Sequence, residues 1–96
     1  MKMATASARH ILVNDEALCN DLKEKINAKE ITFEEAAKEH SLCPSGGRGG
    51  ELGRFGQGQM VPEFDRVVFN DEVGVVHGPV QTQFGYHLIE ITSRSE

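Results

Sequence analysis

Half of the fourteen residues from Ser45 to Gly58 are glycine, and this stretch limits the fold more than any other. Glycine opens positive-φ conformations and brings no side chain to pack, so it weakens regular elements and marks bends or close backbone approaches. The stretch reads as a loop leading into a short strand, Glu51 to Phe55. It contains neither G-x-G-x-x-G nor G-x-x-x-x-G-K-[ST], which removes the phosphate-cradling readings. An Arg-Gly-Gly reading for RNA has only Arg48 and Arg54 to rest on, in a chain of net charge −5.

On the amino-terminal side, Arg9-His10-Ile11-Leu12-Val13 is β-branched and apolar enough for a strand. His10 and Leu12 would share one face, Ile11 and Val13 the other, so both faces can be covered. Asn14 and Asp15 are N-cap candidates for a helix reaching about Ala28, with Leu18, Leu22 and Ile26 as its apolar stripe. Cys19 beside the stripe reads as a small buried hydrophobe. Thr32 and Glu35 form a capping box, and Ile31 and Ala36 stand where a hydrophobic staple belongs, so a second helix should run from Phe33 to His40. His40 then interacts favourably with the helix dipole.

Beyond the glycines, Pro62 suits the first turn of a helix ending near Asn70, with Phe64, Val67 and Val68 on one face. Val75 to Val80 and Tyr86 to Ile91 are strands joined through Gln81–Gly85 as an antiparallel pair. The order β-α-α-β-α-β-β implies a small α+β fold with an antiparallel or mixed sheet.

Ninety-six residues suit one domain, 1–96, rather than two. The acidic balance argues against phosphate-backbone and anionic-lipid partners. No run approaches the roughly 20 apolar residues of a membrane helix. The first ten residues lack a signal peptide's apolar stretch, and Cys19 and Cys43 form no C-x-x-C pair, so the expectation is a cytoplasmic monomer with two free thiols.

The reactive inventory is His10, His40, His77, His87, Cys19 and Cys43. His10 and His87 lie in the first and last strands, which a sheet can make neighbours; taken alone, each reads as a hydrogen-bonded core histidine before a catalytic one. Cys43 sits in a loop, where a thiol is more open to function than on a helix stripe. No histidine has a ligand partner at zinc spacing, no H-E-x-x-H exists, and no cofactor is implied. A Cys–His hydrolase would need Cys43 activated by a histidine, and nothing nearby clearly lowers the thiol pKa.

Four blocks combine into a pattern. Arg9–Val13, Gly49-Gly50-Glu51-Leu52-Gly53-Arg54-Phe55, Gly58–Asp65 and Gly78-Pro79-Val80 with Thr82–His87 resemble the parvulin family of peptidyl-prolyl cis/trans isomerases, above all its small single-domain bacterial members. The resemblance runs from Ala8 to Ser93. It implies a four-stranded antiparallel sheet surrounded by helices. It also implies a catalytic set of His10, Cys43, Thr82 and His87, and a proline pocket of Leu52, Met60 and Phe64 with Phe84 as a wall. Cys43 stands where many members have cysteine and others aspartate. Phosphoserine-directed members carry a basic cluster after the first strand, whereas Val13-Asn14-Asp15-Glu16 is acidic, which argues against phosphate-directed specificity.

The expected partners are therefore proline-containing peptides and unfolded proteins. Rotation about X–Pro needs no bond made or broken, only a site that favours the twisted amide. The competing readings are a proline-peptide binding module or holdase without turnover, and, for Leu52, Met60 and Phe64, ordinary core.

Overall fold

The computed structural model describes residues 4–95; Met1–Met3, the start of the stretch read as lacking an export signal, lie outside them. The chain forms β1 (Thr5–Val13), α1 (Glu16–Asn27), α2 (Phe33–His40), a 3-10 turn (Pro44–Arg48), β2 (Glu51–Gly56), α3 (Pro62–Asn70), β3 (Val76–Thr82) and β4 (Gly85–Ser95). The four strands make one antiparallel sheet in the order β2-β1-β4-β3. The first and last strands are thus its central pair.

Helix starts follow local chemistry. The Asp15 carboxylate accepts from the Ala17 N–H at the start of α1. Thr32 and Glu35 make the reciprocal capping box of α2, and α3 opens on Pro62. Among the described residues no helix is long and apolar enough to cross a membrane.

Strand alternation sorts the core into two layers. Ile11, Val13 and Leu88 face α1 and α2, packing with Cys19, Leu22, Phe33, Ala36 and Ala37. Ala6, Ala8 and Ile89 face the other way and pack with Phe55, Phe64, Val68 and Phe69. His10 and His87 lie on this second face, beneath α3.

Some boundaries differ from the sequence reading. β1 begins at Thr5, four residues earlier than the apolar run, because Thr5–Ser7 pair with both β2 and the end of β4. The link between β3 and β4 is only Gln83-Phe84, since Gln81 and Thr82 still pair with Tyr86 and Gly85. Gly50 explains one glycine of the rich stretch. It has φ +86°, its carbonyl accepts from the His10 N–H at 3.0 Å, and a Cβ there would run into the His10 carbonyl oxygen.

Candidate active site

The two histidine rings meet under α3. Their Nδ1 atoms are 3.0 Å apart, and the rings stack with centroids 5.2 Å apart. Phe64 from α3 sets its edge against both, at 5.5 and 5.8 Å. Thr82 Oγ1 lies 2.8 Å from His87 Nε2 and accepts the Phe84 N–H at 3.1 Å. The chain of hydrogen bonds satisfies most groups when the Thr82 hydroxyl donates to His87 Nε2 and His87 Nδ1–H donates to His10. His10 then carries its proton on Nε2, a buried atom with no partner among the described residues. The reverse direction would strand the Thr82 hydroxyl proton as well.

Both rings are neutral at pH 7. Burial lowers the His10 pKa from 6.5 to about 4, with the neighbouring His87 adding to the effect. Burial also lowers that of His87. A charged imidazolium here would lose its hydration without gaining a counter-ion.

Above the rings lies a cavity of about 360 Å³. Of the residues picked out in the sequence, His10, His87, Cys43, Leu52, Met60, Phe64 and Phe84 line it. Thr82 does not: it stands behind His87 as its hydrogen-bond partner. Phe64 is neither core nor wall alone, being 3% exposed, part of the α3 packing layer and part of the lining. Leu52 and Met60 are half-buried against the same layer.

Sequence reasoning missed Leu12, Leu42, Pro44 and Val61, which complete the lining. Leu12 could have been found, since it shares the strand face of His10. Leu42 and Phe84 are large apolar side chains left 60% exposed at the rim.

The remaining reactive groups lie elsewhere. Cys19 is buried in the α1 layer, where burial raises its thiol to about 11. His77 bonds the Glu72 carbonyl, and His40 sits in the last turn of α2. Among the described residues, Cys43 makes no hydrogen bond to either ring, and no three His, Cys, Asp or Glu side chains are grouped to hold a metal ion.

Residues 5–93 match the rotamase family described as the PPIC-type PPIase domain. The chain belongs to that family. Foldase protein PrsA 4 of Bacillus cereus is 46% identical over 88 residues, covering 91% of this chain and 31% of the foldase. The crystal structure of the peptidylprolyl isomerase PrsA from Bacillus anthracis superposes with a TM-score of 0.92 at 37% identity, over 98% of this chain and 43% of that one. NmPin, the parvulin of Nitrosopumilus maritimus, superposes with a TM-score of 0.84 at 32% identity, over 97% of this chain and 100% of its own. This rotamase domain spans about a third of the length of the curated foldases it matches, and it is a peptidyl-prolyl cis/trans isomerase domain of parvulin fold.

Proposed function

We propose that the domain turns X–Pro bonds of peptides and unfolded proteins by a non-covalent mechanism that does not depend on phosphate. The observation that carries this is a neutral, mutually hydrogen-bonded histidine pair forming the floor of an apolar cavity. Amide resonance sets a rotation barrier of about 18–20 kcal/mol, and the planar amide is the more charge-separated form. An apolar, uncharged site gives that charge separation little solvation. The twisted amide, with its localised nitrogen lone pair, is then relatively favoured. Every 1.4 kcal/mol or so of such preference is tenfold in rate. Leu52, Met60 and Phe64 grip the pyrrolidine ring, and the preceding residue stays free to rotate at the open rim. A protease-coupled assay on proline peptides tests this: turnover supports it, and tight binding without turnover would leave a holdase.

Cys43 is auxiliary on this reading. It lines the cavity, while the ring hydrogen bonds of His10 and His87 go to each other and to Thr82, which supports a role in tuning the surroundings of the carbonyl rather than attacking it. Cys43→Asp is expected to keep a sizeable part of the activity and Cys43→Ala to lower it. A folded but inactive Cys43→Asp would overturn the non-covalent route.

Phosphate before proline brings no gain. Asp15 is committed to capping α1. Arg9 points to the opposite sheet face from His10, where Glu90 and Glu34 pair with it and its guanidinium lies 5.2 Å from the Phe33 ring centroid. Arg9, held by these carboxylates, therefore offers no free cation to a dianion, and Asp15 and Glu16 are anions that would repel one. A Ser-Pro peptide and its phosphorylated twin should be turned over with the unphosphorylated one at least as fast; a strong gain for the phosphopeptide would refute this.

We also propose a cytoplasmic location, which the two free thiols Cys19 and Cys43 fit, and a monomeric state. Sedimentation and cell fractionation check these two points.

A further inference from the structure

The geometry points to Ser41 as a positioning residue for the cavity, a role that rests on the isomerase reading above. β1 reaches Val13, but its pairing with β2 ends at Arg9↔Glu51. Alternate N–H groups of a strand point the same way, so those of His10 and Leu12 both face the side that β2 has left. The His10 N–H goes to the Gly50 carbonyl. The Leu12 N–H goes to Ser41 Oγ at 3.1 Å, and the Leu12 carbonyl accepts the Leu42 N–H at 2.7 Å. The segment Ser41–Cys43 thus takes over the sheet edge where β2 departs.

The same hydroxyl oxygen also accepts the Cys43 N–H at 3.3 Å. One side chain therefore ties together three lining residues: Leu12 and Cys43 through their N–H groups, and Leu42 between them. Leu12 is in turn paired with His87 on β4, so the tether joins the Cys43 loop to the sheet opposite the histidine. Close packing holds Ser41 in place. Its own N–H caps α2 by donating to the Ala37 carbonyl, and a Cβ on Gly46 would come within 3.0 Å of the Ser41 Cβ. Alanine would leave both N–H groups without the acceptor that sets the loop's position, while removing only one oxygen from the fold.

The test compares the unaltered protein with Ser41→Ala, Ser41→Thr and Ile26→Ala, at a temperature where circular dichroism shows each folded. Ile26 packs against the α1 layer away from the cavity and controls for general destabilisation. Ser41→Ala is expected to lose at least tenfold in kcat/KM in the protease-coupled proline assay, and Cys43 should be alkylated severalfold faster by iodoacetamide. Ser41→Thr, which keeps the hydroxyl, should recover most of both, and Ile26→Ala should change neither. Turnover that survives in Ser41→Ala, or a threonine variant as slow as the alanine one, overturns the assignment of Ser41 alone. Absence of turnover in the unaltered protein overturns both this role and the isomerase reading.

Discussion

Phe64→Ala is expected to remove about 3–5 kcal/mol of stability and also to leave the molecules that remain folded with little turnover. Both effects come from one ring with two jobs. On its inner side Phe64 packs against the Phe55 ring at a centroid distance of 6.3 Å, inside the layer that seats α3 on the sheet. On the other it sets its edge on both histidines and lines the cavity. The truncation therefore leaves a void in a close-packed layer and takes away the wall facing the proline ring. With small-domain stabilities of about 5–15 kcal/mol, the variant should still hold a measurable folded population. Met60→Ala separates the two jobs: half-buried at the rim, it should weaken peptide binding with a much smaller stability loss. Urea titration followed by the proline assay on the folded fraction reads both. If Phe64→Ala keeps its activity per folded molecule, the wall role fails; if it unfolds at the same urea concentration as the parent, the packing role fails.

Local chemistry made some of this architecture legible in advance. α2 runs from Phe33 to His40 as its capping box predicts, because a box satisfies orphan N–H groups within one turn and needs no distant partner. Pro62 marks the start of α3 for the same kind of reason. The histidine pair was a topological inference. His10 and His87 are distant in sequence, and they meet because β1 and β4 are the central strands.

What stayed hidden depends on contacts between distant segments. Thr5–Ala8 carries little apolar signal, and it becomes strand through pairing on both sides. Phe69 gave no stripe with Phe64, yet it is buried edge-on against Phe55. Leu42 and Pro44 look like ordinary loop residues until the Ser41 tether brings their segment to the end of β1. The family resemblance supplied the candidate residues. Only the three-dimensional arrangement separates Thr82, behind the ring, from the residues that line the cavity.

Lowering the pH from 7 should weaken the domain progressively until His10 takes up its proton near pH 4. The sign follows from comparing the two states. An unfolded histidine protonates around 6.5, whereas burial and the neighbouring His87 hold folded His10 neutral down to about 4. Between those values the unfolded chain binds more protons, so acid favours unfolding. The stabilising effect is complete above about pH 6.5 and is lost on descent, at a slope of up to about 1.4 kcal/mol per pH unit per proton. Across the window this amounts to about 3 kcal/mol for His10, and His87, also lowered by burial, acts in the same direction. Below about pH 4 the His10 contribution levels off. Glu35, held below 4.5 by its hydrogen bonds with Thr32, adds an acid loss that begins later, so the two regimes can be told apart. Urea midpoints from about pH 7.5 down to about pH 3, alongside the His10 ring signals in NMR, measure the effect. His10→Leu should flatten the slope while lowering stability at pH 7, because it leaves His87 Nδ1 without its partner. A His10 ring that titrates near 6.5, or a slope unchanged in His10→Leu, would mean that the neutral pair is not what holds the floor of the cavity.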